Sequence, residues 1–138
     1  MDAFDYAAMI DETPVNSAVI EYVARDPETG VVRLIAACLS DILSDGLSMV
    51  YSWFDPAERR RSPGAHMILD HIALAREIGL QHVYLGYWVS ESPKMNYKIL
   101  YKPFELCDGA TWRRFGDIAG FNAWRARRRR EMRACPME

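Results

Sequence analysis

From residue 51 to residue 98 the chain reads YSWFDPAERRRSPGAHMILDHIALAREIGLQHVYLGYWVSESPKMNYK. The order of signals in this run restricts the fold more than any other stretch. An aromatic-rich strand stops at Asp55-Pro56, and a charged turn over residues 58–61 closes with Ser62-Pro63-Gly64. Residues 65–78 then place Ile68, Leu69, Ile72, Ala75 and Ile78 at helical spacing, with His66, Asp70, Arg76 and Glu77 off that stripe. Gly79 stops the helix. Residues 81–89 (QHVYLGYWV) return as a strand with Gly86 inside it, where a bulge or a close backbone approach is expected. Strand, helix and strand in that succession make a parallel crossover.

The preceding residues supply the rest of a sheet. Residues 17–25 and 31–39 are rich in Val, Ile and Tyr around the turn sequence DPETG, which predicts a β-hairpin. After the turn Ser44-Asp45-Gly46, residues 47–54 alternate, with Leu47, Met49, Tyr51 and Trp53 expected on one face. A short entry helix is predicted over residues 3–10. Downstream, residues 90–93 form a loop and 94–101 a short helix. Residues 104–107 and 112–115 pair about Asp108-Gly109, and Asp117 caps a helix bearing Arg125, Arg127, Arg128, Arg129, Arg130 and Arg133. The predicted class is α/β (α+β): a mixed sheet, an antiparallel meander followed by a β-α-β crossover. Its expected organisation is one folded domain over residues 1–116 and a basic C-terminal helix or tail over 117–138.

Composition narrows the function classes. With 138 residues, half of them hydrophobic, the chain can bury a sizeable core. No stretch approaches the ~20 predominantly apolar residues of a membrane span, and the first residues are acidic where a secretory signal is basic and then apolar. No membrane association and a cytoplasmic location are therefore expected. Cys38, Cys107 and Cys135 are far apart and fit neither a disulfide framework nor a zinc site, so no metal is expected and the thiols read as buried or inert. Charge is uneven: two basic and nine acidic side chains up to residue 50 give −7, and the remainder is +5. Such asymmetry points to an anionic partner for the later residues, nucleic acid or phosphate, or to solvated surface charge alone.

The runs LSDGLSMVYSWFDP, RRRSPGAHMILDHI and above all GYWVSESPKMNYK resemble the C-terminal half of the aminoacyl-tRNA-protein transferases, in particular the bacterial aspartate/glutamate leucyltransferases. The resemblance covers roughly residues 6–115. It implies a GNAT-like fold in which aminoacyl-tRNA replaces acetyl-CoA as co-substrate, with no other cofactor. It also implies passage of leucine to the N-terminal Asp or Glu of proteins destined for degradation through an N-degron (N-end rule) pathway. Members carry an N-terminal domain with a CxxC and further cysteines; this chain then reads as a fragment, a degenerate copy or a split gene product, the last with that domain as a partner in trans. Pro63 stands where the family usually has leucine in an SLG turn.

Candidate site residues follow from residue chemistry and from this resemblance. Arg60, Arg61, Ser62 and Gly64 open a helix, where free N–H groups and the positive dipole end converge with guanidinium groups. The resemblance implies that they hold phosphates near the acceptor end of leucyl-tRNA. Pro63 removes one N–H from that cradle, and a solvated charged turn is the simpler alternative. Gly86 is expected to admit the ligand to the backbone, with a nearby N–H facing the ester oxyanion and Tyr87 beside it; core packing competes for these aromatics. Lys94, Tyr97 and Lys98 share a helical face suited to the acceptor's carboxylate or an RNA phosphate, or to a snorkelling surface stripe. Asp55 is the candidate proton acceptor. His66, Asp70 and His71 lack a third ligand and read as helix surface.

Three other activities fit parts of the pattern. An arginyl-tRNA donor is one. An acyl-CoA-dependent N-acetyltransferase is another, although Arg61 to His66 keeps only Arg61 and Gly64 of the usual Gln/Arg-x-x-Gly-x-Gly/Ala turn. A non-catalytic RNA- or degron-binding module is the third.

Overall fold

The computed structural model describes residue 8 and residues 11–134, with side chains to residue 131. The helix expected over residues 3–10 falls, apart from residue 8, outside them, as does Cys135. The chain divides into two compact units, Met1–Gly86 and Tyr87–Glu138.

The first unit is a four-stranded sheet in the order β1 (Ser17–Arg25), β2 (Val32–Ile42), β3 (Gly46–Phe54) and β4 (His82–Tyr84). β1, β2 and β3 are antiparallel neighbours, and β3 and β4 are parallel. Helix α1 (Pro63–Glu77) makes the crossover, so the expected meander and β-α-β unit are present. The first hairpin turns as its sequence requires: Asp26 Oδ1 accepts the N–H groups of Glu28 at 2.9 Å and Thr29 at 2.8 Å, and Gly30 takes φ 71°.

Two corrections concern facing. The ladder between β2 and β3 shifts at Leu39/Ser40: Ser40 pairs with Met49 but Leu39 with Tyr51, leaving Val50 as the extra residue of a bulge. Ser40 binds α1 through His71, so Met49 faces the helix while Tyr51, opposite Leu39, faces away. On α1, Leu69, Ile72 and Ile78 are exposed, and the buried positions are Pro63, Met67, Ile68, His71 and Ala75. A four-residue step holds Pro63, Met67, His71 and Ala75 on one face. Met67 packs with Ala36 and Cys38, against Tyr22 and Met49.

β4 is shorter than the predicted strand over 81–89, because Gly86 adopts φ 74°, a left-handed conformation that ends an extended run. The β3–β4 ladder therefore joins only Gly46–His82, Leu47–Val83 and Ser48–Tyr84, while β3 runs on to Phe54. The join is tight: a Cβ on Gly46 would lie 2.6 Å from the His82 carbonyl oxygen and 2.8 Å from Tyr84 Cε2. Asp45 clamps the same seam, its carbonyl accepting from Gln81 and His82 N–H groups at 3.1 Å and its Oδ2 from the Tyr84 hydroxyl at 2.8 Å. Since the obstacle is backbone, Gly46→Ala is expected to cost about 1–3 kcal/mol in urea unfolding.

The second unit has a 3-10 helix (Pro93–Leu100), the predicted hairpin β5 (Phe104–Asp108) with β6 (Thr111–Phe115), and α2 (Ile118–Ala134). Asp117 caps α2 as expected, Oδ1 accepting the Gly120 N–H at 2.7 Å. Phe121 is fully buried among Trp88, Phe104, Phe115 and Trp124, with ring centroids 5.2–6.0 Å away.

Candidate functional site

The arginine turn is more ordered than a charged loop. Residues Pro56–Arg61 form a 3-10 helix whose N-cap is Asp55, with Oδ1 accepting the Ala57 N–H at 2.9 Å. Arg33, reaching from β2, donates Nη1 to Asp55 Oδ2 and Nη2 to Glu58 Oε1, each at 2.6 Å, and Arg61 reaches the other Glu58 oxygen at 3.3 Å. Both carboxylates thereby help to hold the turn. Arg59 and Arg60 are exposed, and their guanidinium groups make no hydrogen bond or ion pair among the described residues. Arg33 and Glu58 were not legible as partners, since 25 residues separate them and only the sheet brings them together.

Glu58 carries the clearest electrostatic signature of the turn: hydrogen bonds from Arg33 and then Arg61 hold its carboxyl below its ordinary value of 4.5. A group whose folded pKa is lowered stabilises the fold above its unfolded pKa and loses that contribution as pH falls through the folded value. We expect the Glu58 carboxyl carbon to titrate, by NMR, at a midpoint below that of a glutamate in an unstructured peptide. The Arg33 Nη signals should move with it.

At the end of the turn Ser62 takes φ 51°, ψ 57°, serving as C-cap of the 3-10 helix and residue before α1, with no hydrogen bond from its side chain to the helix. Pro63 has no N–H, and the first α1 bond runs from His66 N–H to Ser62 O at 3.1 Å. Gly64 and Ala65 thus start α1 without a side-chain cap, and no atom lies within 4 Å of where a Gly64 Cβ would stand. Backbone donors, open space and free guanidinium groups of Arg59 and Arg60 form an anion-accepting arrangement within the first unit.

Of His66, Asp70 and His71, expected on the helix surface, His66 is exposed and Asp70 half-buried, but His71 is in the core. His71 is fully buried, its Nδ1 2.7 Å from the Met67 carbonyl and its Nε2 2.7 Å from Ser40 Oγ, which lies 3.4 Å from Cys38 Sγ. A Cys, Ser and His in a row resemble a nucleophilic relay. All three are closed to solvent, however, and burial raises the Cys38 pKa above its usual 9.0, so the cluster is core structure. Asp70 accepts the Tyr22 hydroxyl at 2.7 Å, and His66 packs edge-on to the Tyr22 ring. Burial, and then the Asp70 carboxylate, push the Tyr22 phenol far above its ordinary 10.0, keeping it a donor.

In the second unit, Tyr87 is 91% exposed. Its carbonyl accepts the Lys98 ammonium at 2.6 Å, and burial lowers the Lys98 pKa from its usual 10.5. Because residues 93–100 are 3-10 rather than α-helical, i and i+3 align: Lys94 and Tyr97 share a face and are exposed, whereas Lys98 turns to the next. Lys98 is thus an anchor for the Tyr87 backbone. Of the two thiols described, Cys38 is buried and Cys107 exposed, the latter donating to the Gly109 carbonyl at 3.1 Å.

Against known proteins, the family described as "Arginine-tRNA-protein transferase, C terminus" matches residues 1–108. The chain belongs to this family. It is 54% identical over 125 residues to the aspartate/glutamate leucyltransferase of Ruegeria pomeroyi, covering 91% of this chain and 44% of that one. It is 56% identical over 124 residues to that of Cereibacter sphaeroides, and 50% over 126 residues to that of Paracoccus denitrificans. These matches cover 89% and 86% of this chain and 44% and 45% of those relatives, so it spans less than half of their length. No solved structure matches. Asp55, the arginine turn, Gly86, Tyr87 and the Lys94–Lys98 segment all lie inside the matched region. Among the described residues, no helix is long and apolar enough to cross a membrane.

Proposed function

We propose that this chain is the acyl-transfer part of an enzyme that moves leucine from leucyl-tRNA to the N-terminal Asp or Glu of acceptor proteins. The observation that carries the reading is identity of 50–56%, over about nine-tenths of the chain, to relatives named aspartate/glutamate leucyltransferase. The antiparallel meander with a crossover and a short β3–β4 ladder agrees with a GNAT-like architecture. A charged-tRNA substrate places the enzyme in the cytoplasm, feeding an N-degron pathway, and a cysteine-bearing N-terminal domain is expected to complete it.

The chemistry needs little activation of the nucleophile. An α-amine has a reference pKa of ~7.7–8.0, so its neutral form near pH 7 costs about 1 kcal/mol. Holding amine and ester in line contributes up to ~7–11 kcal/mol, and one oxyanion donor ~3–4. Position therefore dominates. In the first unit, Arg60, Arg61, Ser62 and Gly64 are assigned to the phosphates near the donor's acceptor end, and Gly86 to backbone access at the ester oxyanion. In the second, Lys94 and Tyr97 are assigned to the acceptor's acidic group, and Lys98 keeps the Tyr87 backbone in place. The amine attacks the ester carbonyl, the bond to the ribose oxygen breaks, and the amine's proton reaches that oxygen by way of Asp55.

The test is transfer of labelled leucine from leucyl-tRNA to Asp- and Glu-initiated peptides, with and without the N-terminal half of a relative added. No transfer in either condition would end the reading, and transfer of arginine in preference to leucine would reassign the donor. Asp55→Asn is expected to lower kcat by ~10²-fold or more with the peptide KM unchanged. Unchanged kcat would leave Asp55 only its N-cap and its pairing with Arg33.

A further inference from the structure

The second unit contains eleven basic and six acidic side chains, so the whole positive excess of the later residues resides in it. Most of it is arginine on α2 and β6. Three of these groups are held in place: Arg125 donates to the Ser90 carbonyl at 2.6 Å and lies 5.5 Å from the Trp88 ring centroid, Arg128 pairs with Asp108 at 2.7 Å, and Arg129 pairs with Glu91. Asp108 and Glu91 offer two charges to three guanidinium groups. The guanidinium groups of Arg127 and Arg130 on α2, and of Arg113 and Arg114 on β6, make no hydrogen bond or ion pair among the described residues.

These groups are gathered rather than scattered. Arg113, Arg127 and Arg128 line a concavity of about 200 Å³ with Trp124, Asp108 and Glu131. On the next face of the helix, Arg125, Arg129 and Arg130 line a shallower groove of about 500 Å³ beside Asn122 and Ala126. Like charges at these spacings weaken a helix by themselves, so packing of Phe121 and Trp124 must hold α2 against the repulsion. Across the two concavities six arginines outnumber Asp108 and Glu131, and Trp124 is the one large apolar side chain in their lining, a surface that suits an array of phosphates better than a protein interface, whose centre is apolar.

We infer that α2 with β6 binds the phosphate backbone of an RNA stem, gripping it by charge and shape without reading its sequence. That the stem belongs to the donor tRNA rests on the leucyl-transfer reading above. The region matched by the family ends at residue 108, before β6, so this grip is not among the features that define the family.

The experiment is fluorescence anisotropy of the full chain with a labelled, uncharged RNA hairpin of ~12 base pairs, titrated between ~50 and ~200 mM salt. Replacing Arg113, Arg127 and Arg130 together by Gln is expected to weaken binding at least tenfold at the lower salt. The slope of log affinity against log salt should become shallower by ~2–3, while the matching triple Lys variant keeps it. An unchanged slope in the Gln variant, no binding by the unaltered chain, or stronger binding of poly-glutamate than of the hairpin would overturn the inference, the last in favour of an acidic protein partner. Because the hairpin carries no amino acid, binding is read independently of transfer. A triple Gln variant that loses the slope supports the RNA grip even if leucine transfer fails. Full transfer with an unchanged slope refutes the grip and leaves the enzymatic reading intact.

Discussion

Phe121→Ala is expected to lower the stability of the second unit by about 3–5 kcal/mol, enough to unfold it under ordinary conditions. Phe121 is the one described side chain of that unit with no solvent exposure, and every aromatic of its core touches it: Trp88, Phe104 and Phe115 edge-on and Trp124 stacked. A unit of 52 residues has no second core to fall back on. Trp88 and Trp124 flank the deleted ring, so tryptophan fluorescence reports the loss directly. Hydrogen exchange should quicken throughout β5 and β6. Phe121→Leu keeps most of the volume and is expected to cost roughly half as much or less. Equal effects from the two variants would mean that ring geometry, not filled space, holds the unit together.

In the first unit, His71→Ala is expected to cost about 3–5 kcal/mol, since it opens a cavity and takes the imidazole partner from the buried Ser40 hydroxyl. The imidazole bridges the Met67 carbonyl on its own helix and Ser40 in the middle of the sheet, at 2.7 Å on each side and fully buried. With Nδ1 donating to a carbonyl, Nε2 must accept from the Ser40 hydroxyl. Ser40→Ala alone leaves Nε2 unsatisfied and is expected to cost about 1–3 kcal/mol. The double variant should cost less than the sum of the two by ~0.5–3 kcal/mol, as for any directly bonded pair. Additive losses in urea melts would show that the bond between sheet and helix contributes nothing of its own.

The succession of elements was legible because local chemistry writes it: DPETG, SDG and Asp108-Gly109 mark turns, Gly79 a helix end, and Asp117 a helix start. Facing was less so. A single extra residue at Val50 sends Met49 and Tyr51 to opposite sides of the sheet, and nothing in an alternating pattern announces such a shift. His71 was misplaced for a related reason: a polar residue counts as surface unless its partner is known, and Ser40 lies 31 positions earlier. At the candidate site, the residues of the arginine turn were identifiable from charge and helix-start chemistry. Its support by Arg33 was not, nor was the 3-10 geometry that moves Lys98 off the face of Lys94 and Tyr97. Both depend on which strand lies beside which, or on a choice between two helix types that spacing alone does not make.

The position of Ser62 has a consequence for affinity. A serine at φ 51° costs roughly 1–2 kcal/mol relative to a right-handed conformation, and it is followed by a buried proline with its own φ fixed. Asp55 and Arg33 secure the other end. The turn is thus set in its final shape during folding, when the strain is absorbed, and an anion bound there as proposed meets a rigid frame. Such an anion avoids the ~0.5–1.5 kcal/mol per side chain that ordering a loose loop would subtract from its binding.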